Sequence, residues 1–142
     1  MPYSKVLVPA GGNKNFIERS LKALDHAIPL CSGEIILLNV TDPLPGTVGG
    51  EAREQLMRKE RAAAEEALRP LANTIAEQGK SCRLIVENGT VADTIIRVAH
   101  EQEADIIVMF TDGRDDVSSL LIGSNTERVL RNTDTPLLAI RR

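Results

Sequence analysis

The sequence predicts an α/β fold: a doubly wound, five-stranded parallel sheet with helices on both faces. Five short apolar runs of strand length alternate with four longer segments of helical apolar spacing. This alternation is typical of a parallel sheet covered on both faces, because each strand then connects to the next through a helix. The composition agrees, since 142 residues, 42% hydrophobic and 26% charged, suit a single domain over residues 1–142 with an aliphatic core.

Two predicted strands and the helix between them open the chain. Residues 5–10 (KVLVPA) and 34–40 (EIILLNV) are short apolar runs, typical of parallel strands buried on both faces. Between them, from about residue 15 to residue 30, apolar residues recur at helical spacing. We expect Pro29 to bend or end this helix, because proline lacks a backbone N–H, and Gly33 to act as its stop.

A loop and a long helix come next. Residues 41–50 contain two prolines and three glycines, which favour a loop. Residues 51–78 are rich in Ala, Glu, Arg and Leu, which are strong helix formers. Pro70 lies inside this segment, so the helix either kinks there, at a cost of about 3 kcal/mol, or breaks before it. The predicted buried face of the long helix consists of Leu56, Ala63, Ala67, Leu71 and Ile75.

The second half of the chain contains three predicted strands. Residues 82–88 alternate in polarity, which predicts an edge strand with one wetter face, and residues 91–102 form the helix after it. Residues 104–110 are the most apolar run, so we expect them to form the central strand. Residues 125–131 then form the last helix, and Leu137–Ile140 form the last strand, at an edge of the sheet.

Composition and charge exclude several classes of function. Aromatic residues make up only 2% of the chain and the formal net charge is −3, so we expect no nucleic-acid partner. No run approaches the roughly 18 apolar residues of a membrane span, and the first apolar run is too short for a signal peptide. We therefore expect no membrane partner and a cytoplasmic location. Cys31 and Cys82 match neither metal nor redox spacing and are interpreted as reduced, small hydrophobic residues.

Candidate binding residues follow the predicted strands. In open parallel sheets, ligands bind beyond the carboxyl ends of the strands, where the strand order reverses. That edge carries residues 9–13, 40–42 and 110–113. Further along, Ser124 and Glu127 have the spacing of a capping box at a helix start. Two interpretations stay open: Ser124 only caps the helix, or Gly123 lets a phosphate approach the free N–H groups there.

A glycine motif lies at this helix start. Gly113 is followed, after nine residues, by Gly123 and Ser124. With this spacing, and with the stretches KVLVPA, EIILLNV, NGTVADTIIRVAHEQEADIIVM and GSNTERVLRNTDTPLLAIRR, the whole chain resembles the universal stress protein family. The resemblance implies a cytoplasmic stress-response protein with an ATP-type site, in which the nucleotide is accompanied by Mg²⁺ or Mn²⁺.

The resemblance also implies roles for individual residues. In ATP-binding members of the family, the ends of the first two strands and the glycine loop hold the nucleotide. Carried over by position, Pro9 and Val40 flank the adenine, and Met109 and Gly113 lie near the ribose and phosphates. The phosphates themselves are held by Gly123, Ser124, Asn125 and Thr126.

The chain departs from the family's pattern at three places. Phe110 stands where the first glycine of the motif is expected; its ring either fills space that a ribose needs, stacks on a base, or packs in the core. Gly11 replaces an acidic residue that usually meets the nucleoside. The loop after residue 111 carries more acid than base, so a triphosphate there requires a bridging divalent cation. Its charged residues are Asp112, Arg114, Asp115 and Asp116.

Three hypotheses for the function follow. The first is a dimeric regulatory protein whose ATP-type site is weakened or degenerate. The second is a dimeric interaction module that binds no nucleotide and works through residues 42–50 and the long helix. The third and weakest is a slow ATPase, for which the sequence offers no general base. His26 and His100 lack a metal-binding motif, and Asp105 is interpreted as a connector between a helix and a strand.

The predicted partner is a second copy of the chain. Leu137–Ile140 is a short apolar strand at a predicted sheet edge, and exposed edges either pair or are covered. In the family, dimers commonly pair this strand across a two-fold axis, so we expect a homodimer. The alternative is a monomer in which Arg141 and Arg142 blunt the edge. A further protein partner is not identified by the sequence.

Overall fold

The structure is a computed structural model, and it describes residues 3–11, 16–111 and 123–141. The strands are β1 (Tyr3–Pro9), β2 (Cys31–Thr41), β3 (Ser81–Asn88), β4 (Ile106–Phe110) and β5 (Leu137–Ile140). The helices are α1 (Phe16–Leu30), α2 (Gly50–Ala67), α3 (Arg69–Glu77), α4 (Val91–Glu101) and α5 (Ser124–Asn132). The predicted alternation of strands and helices is confirmed, with one predicted helix divided in two.

The five strands form one sheet in the order β3-β2-β1-β4-β5, and all four pairings are parallel. The edge positions predicted for β3 and β5 are confirmed. The prediction that β4 is the central strand is wrong, because β1 occupies that position. β4 is nevertheless an interior strand between β1 and β5 and is covered on both faces, which accounts for its apolar sequence.

Helices cover both faces of the sheet, as the doubly wound fold requires. α1 and α3 pack on one face, called here the α1 face, where Leu24 and Ile75 join the core. α4 and α5 pack on the other, called the α5 face, where Ile95 and Val129 are buried. Strand residues alternate between the two faces with period two, so Val6 and Val8 point to the α1 face and Leu7 to the α5 face.

The predicted long helix breaks at Leu68, just before Pro70. Pro70 is the second residue of α3, in the first helical turn, where a missing N–H costs nothing. The predicted buried face was right for Leu71 and Ile75 and wrong for the other three. Leu56, Ala63 and Ala67 are exposed, and the buried stripe runs instead through Ala64, Leu68, Leu71 and Ile75.

The junction of α1 and β2 is tighter than predicted. α1 contains Pro29 in its last turn, and β2 begins directly afterwards at Cys31. Gly33 therefore lies inside the strand and is not the helix stop. A Cβ at Gly33 would lie 2.4 Å from the carbonyl oxygen of Ser4, so glycine is required there by the close approach of β1.

Other expectations about the core and surface can be compared directly. Cys31 is buried, Cys82 is half-buried, and neither forms a disulfide. Burial, with a smaller contribution from the nearby Glu34 carboxylate, raises the pKa of the Cys82 thiol, which favours the neutral form. Within the described ranges, no helix has both the length and the apolar character needed to cross a membrane.

Candidate functional site

The strand order reverses between β1 and β4, and this locates the candidate site. From β1 the chain proceeds to β2 on one side, whereas from β4 it proceeds to β5 on the other. β1 and β4 pair at Val6–Ile106 and Leu7–Ile107, and both strands continue beyond these pairs. The space at their carboxyl ends is the position where doubly wound folds bind ligands. We call it the switch crevice.

Three predicted site residues lie together at the switch crevice. Val40 and Met109 pack on the α5 face of the sheet. Pro9 follows Leu7 by two residues in β1 and therefore points to the same face. Met109 is buried, whereas Pro9 and Val40 are half-buried. These three side chains, at the ends of β1, β2 and β4, form a surface that we call the floor of the crevice. Met109 is the buried part of this floor, and Pro9 and Val40 are its partly accessible parts.

A hydrogen bond connects this floor to the start of α5. The N–H of Gly123 donates to the hydroxyl oxygen of Thr111 at 2.9 Å, and Thr111 is only 3% exposed. The N–H of Thr111 donates in turn to the carbonyl of Ile140 on β5. Thr111 therefore joins the two ends of the glycine loop, a role that we did not predict. Its only sequence signal is its position directly after the apolar run of β4.

The start of α5 differs from the predicted capping box. Gly123 holds the N-cap position with an extended ψ of 149°, and among the described residues no side chain caps the helix. The prediction that Ser124 is the cap is therefore wrong, since Ser124 is the first helical residue. Glu127 pairs with Arg131 at 2.7 Å instead of reaching back to the cap. The physical reason is that the Gly123 N–H is fixed by Thr111, which sets the helix start one residue earlier.

The four predicted phosphate-binding residues have different accessibility. Ser124 and Asn125 are exposed, Gly123 is half-buried, and Thr126 is buried with 3% exposure. Thr126 thus packs inward, and the accessible part of the helix start consists of the first two helical residues. Gly113, together with the charged loop residues Asp112, Arg114, Asp115 and Asp116, lies outside the described residues.

Phe110 does not enter the switch crevice. Its half-buried ring packs against the core on the α1 face, on the opposite side of the sheet from Val40 and Met109. The guanidinium carbon of Arg19 lies 5.8 Å from the ring centroid, in the range of a cation–π contact. Of the three predicted alternatives for this ring, packing in the core is confirmed.

The residues that we considered for catalysis lie away from the crevice. Asp105 precedes β4 at the amino end of the sheet, where its carboxylate accepts hydrogen bonds from Ser4 and Lys5. These bonds, the one from the Lys5 N–H first, lower its pKa. The interpretation of Asp105 as a connector is confirmed. His26 and His100 are exposed, in the later parts of helices that lead back to that same end.

A wide cleft adjoins the crevice between α4 and α5. Its volume is about 670 Å³, and Ser124 and Asn125 form one end of it. Arg128 and Asp93, which also line the cleft, form an ion pair at 3.0 Å, and both side chains are exposed. Hydrogen bonds from Arg128 and then from Thr90 lower the pKa of Asp93. In the part of the chain that the structure describes, no three His, Cys, Asp or Glu side chains are arranged to hold a metal ion.

Comparisons with known proteins point to one family. The family model described as the universal stress protein family matches residues 2–141. Universal stress protein MJ0531 of Methanocaldococcus jannaschii is 29% identical over 148 residues, which cover 99% of this chain and 83% of the relative.

Solved structures share the fold over their whole length. The structure of MJ0577 matches with a TM-score of 0.75 at 25% identity, and the match covers 100% of this chain and 98% of the MJ0577 chain. A universal stress protein in complex with cAMP has a TM-score of 0.73 at 21% identity, covering 99% and 98%. One from Archaeoglobus fulgidus in complex with dAMP has a TM-score of 0.65 at 19% identity, covering 99% of both chains.

Proposed function

Because this chain belongs to the universal stress protein family, we propose that it is a cytoplasmic regulatory protein that binds an adenine nucleotide, ATP with Mg²⁺ or Mn²⁺, in the switch crevice. The observation that carries the proposal is the hydrogen bond from Gly123 to Thr111. It holds the start of α5 beside the carboxyl end of β4, so that a helix N-terminus faces the floor formed by Pro9, Val40 and Met109.

The phosphate end of the site is the first turn of α5. The first N–H groups of a helix have no partner within it, and the helix dipole favours an anion at this end. Within residues 3–11, 16–111 and 123–141, no side chain caps α5, and the exposed Ser124 and Asn125 are the helical residues that a phosphate would meet there. The sequence that follows Thr111 is rich in aspartate, which repels a triphosphate. A bound divalent cation would offset this repulsion.

The nucleoside end of the site is the space over Pro9 and Val40. Both are half-buried apolar residues on the same face as the start of α5, and an adenine ring can pack between them. Phe110 leaves this space open because its ring lies on the opposite face. Two fold relatives were solved in complex with cAMP and with dAMP, which supports a nucleotide as the ligand class proposed here.

The proposed mode of action is binding and not catalysis. The carboxylates of Asp93 and Glu127 line the cleft beside the start of α5, and each is engaged in an ion pair, with Arg128 and with Arg131, which favours binding over general-base catalysis there. Slow ATP hydrolysis remains the weaker alternative. Bound nucleotide would change the surface at the start of α5 that partners meet.

We also propose that the chain forms a homodimer through β5. β5 is an edge strand that pairs with β4 on one side, and its Leu137 and Leu138 are only half-buried in the single chain. A second copy of β5 would pair with the open side across a two-fold axis. Sedimentation equilibrium of the purified protein tests this, and a monomer at every accessible concentration would contradict it.

Isothermal titration with ATP, with and without Mg²⁺ or Mn²⁺, tests the nucleotide site. We expect saturable binding with a micromolar Kd that is weaker without the cation. Inorganic tripolyphosphate should bind more weakly than ATP but still detectably, since it contacts only the α5 end. Absence of ATP binding under all conditions would contradict the proposed function.

One observation favours the second candidate, an interaction module without nucleotide. Leu56 and Met57 on α2 are 40% and 39% exposed, which is unusual for large apolar side chains lying next to each other. They lie one helical turn before Glu60, which bonds to Thr41 at the carboxyl end of β2. If the protein is dimeric but binds no ATP, this α2 surface becomes the first place to seek a partner.

A further inference from the structure

β3 forms the edge of the sheet opposite β5. It pairs with β2 on one side, and the N–H of Gly89, the residue after β3, donates to the carbonyl of Thr41 on β2 at 3.0 Å. Because the backbone groups of successive strand residues alternate in direction, the odd-numbered residues of β3 face β2 and the even-numbered ones face outward. Leu84 and Val86 therefore present their N–H and carbonyl groups outward, along a line that we call the β3 edge.

A second copy of β3 matches this edge. In an antiparallel pair with a two-fold axis at Ile85, Leu84 would lie opposite Val86 of the second copy, and their outward N–H and carbonyl groups would bond to each other. The same register places Arg83 opposite Glu87 of the second copy. Ile85 packs on the α5 face, and Arg83 and Glu87 alternate with it, so these charges would meet on one face. Opposite charges directly across from each other stabilise an antiparallel pair.

The charged side chains of this register are free to change partners. In the single chain, Arg83 pairs with Glu34 at 3.0 Å, and Glu87 pairs with Arg97 at 3.2 Å. All four side chains are partly exposed, and ion pairs in contact with water contribute little to stability. Arg83 and Glu87 can therefore turn toward a second copy without the loss of a strong contact.

The side chain of Arg61, on α2, occupies the β3 edge. Its Nη2 donates to the carbonyl of Leu84 at 3.4 Å, and this carbonyl is one of the outward acceptors that the pairing would use. Glu65, one helical turn later, holds the guanidinium at 3.1 Å. The preceding residue, Glu60, fixes α2 over the end of β3, because its carboxylate accepts a hydrogen bond from Asn88 at 2.7 Å. The helix thus places a positive charge at the middle of the edge.

We propose that the β3 edge is a self-association surface for a second copy of this chain, and that Arg61 keeps it closed. A charged side chain on an edge strand is a common means of preventing edge-to-edge pairing. For the copies to pair, the N–H of Val86 from the second copy must replace the Arg61 guanidinium at the Leu84 carbonyl. The β3 edge is distinct from the proposed β5 interface, and the inference holds whether or not that interface forms. A chain that paired at both edges would extend one sheet without limit, which a closed β3 edge prevents.

The test combines an opening substitution with a reporter of the register. Arg61→Ala removes the guanidinium and keeps a strong helix former on α2. The matched control is Arg69→Ala, because Arg69 on α3 is also an exposed arginine that pairs with a helical glutamate, Glu66, at 2.8 Å. Ile85→Cys places a thiol at the two-fold axis, where opposite Cα atoms lie about 4.5 Å apart, within the range of a disulfide.

Sedimentation velocity measures the mass of each assembly, and non-reducing electrophoresis after mild oxidation measures the cross-link. The same proteins without Ile85→Cys give the cross-linking that arises from Cys31 and Cys82. Thermal unfolding monitors the fold of each variant.

We expect Arg61→Ala to raise the weight-average mass at least about twofold over the wild type at the same concentration, since pairing at β3 joins two assemblies. Arg61→Ala combined with Ile85→Cys should cross-link above the level of the native cysteines. Arg69→Ala should keep the mass of the wild type. Ile85→Cys in the presence of Arg61 should not cross-link above the native level.

Four outcomes would overturn the inference. An unchanged mass in Arg61→Ala would show that the guanidinium does not close the edge. A raised mass without the Ile85→Cys cross-link would show that the copies meet at another surface. An equal gain in mass in Arg69→Ala would assign the effect to net charge. Cross-linking of Ile85→Cys while Arg61 is present would show that the β3 edge pairs freely.

Discussion

The two ends of the sheet use their polar groups differently. At the amino end, Asp105 accepts hydrogen bonds from the N–H groups of Ser4 and Lys5 and from the Ser4 hydroxyl, and Lys5 Nζ donates to the Gln102 carbonyl. Arg83 binds both Glu34 and Gln102 nearby. The polar groups of three strands and of one helix end therefore bond to one another at this end of the sheet.

At the carboxyl end, polar groups fix the backbone and leave other donors accessible. Thr111 and Asn39 each hold one backbone group, of Gly123 and of Ala10. No side chain in the described part of the chain caps the first turn of α5. The comparison indicates that hydrogen bonds at the amino end stabilise the fold, whereas those at the carboxyl end hold the backbone groups that border the proposed site. Substitutions at the two ends should therefore separate stability from ligand affinity.

The largest change in the free energy of unfolding is expected for Phe110→Gly. This variant tests whether Phe110, at the carboxyl end of β4, acts only in the core. Loss of a half-buried ring, its contact with Arg19 and a strand side chain should lower the free energy of unfolding by about 2–3 kcal/mol. ATP affinity should not increase, because the ring lies outside the crevice. Urea unfolding and titration of the same sample measure both. A gain in ATP affinity would show that the ring blocks the site.

Asp105→Ala tests the amino end. Removing an acceptor of three hydrogen bonds should lower the free energy of unfolding by about 1–2 kcal/mol, a modest value because the bonds are partly solvent-exposed. ATP affinity should be unchanged. Asp25→Ala, at an exposed position on α1, is the control and should change stability by less than about 0.5 kcal/mol.

The same carboxylate predicts a pH dependence. The pKa of Asp105 is lower in the folded protein than in the unfolded chain, so its stabilising contribution is fully present above the unfolded pKa of about 4. It is lost as pH falls from there through the folded pKa. Below about pH 4, the free energy of unfolding of the wild type should therefore fall more steeply with decreasing pH than that of Asp105→Ala. Parallel slopes for the two proteins would contradict this assignment.

Thr111→Val tests the connection that the carboxyl end depends on. Valine keeps the shape of the buried side chain but leaves the Gly123 N–H without its acceptor, which should cost about 1 kcal/mol of stability. Because the start of α5 is then no longer fixed, ATP affinity should fall about tenfold. Thr94→Val, at a buried threonine on α4, is the control for stability alone. Equal ATP affinity in both variants would separate Thr111 from the site.

The fold was predictable because its signals are local and repeated. Apolar runs of strand length located all five strands, and apolar residues at helical spacing located the helices between them. The bounds of β5 were predicted to the residue. The identity of the central strand was not predictable from hydrophobicity, because β1 and β4 are both buried on two faces. The early start of β2 depends on a contact between Gly33 and Ser4 that has no local signal.

The site was predictable only in outline. Val40 and Met109 pack on one face of the sheet, and Pro9 follows Leu7 by two residues on that face, but the binding roles of these three residues come from the family resemblance and stay predictions. Phe110 follows Met109 in β4 and therefore packs on the opposite face, but hydrophobicity alone does not specify which of the two residues lies on which face. Thr111 and Asn39 act through single backbone groups distant in sequence, so no motif marks them. Residues 112–122 lie outside the described residues, and Gly113 stays a prediction.

The smallest effect is expected for Ser124→Ala, which distinguishes an N-cap from a first helical residue. Loss of an N-cap serine costs about 1 kcal/mol, whereas alanine is favourable inside a helix. Because Gly123 is the N-cap here and Ser124 is exposed, the free energy of unfolding should change by less than about 0.5 kcal/mol. ATP affinity should fall a few-fold, since the hydroxyl is accessible at the phosphate end. A stability loss near 1 kcal/mol with unchanged ATP affinity would show that Ser124 is the cap after all. The start of α5 would then serve stability, as the hydrogen bonds at the amino end of the sheet do.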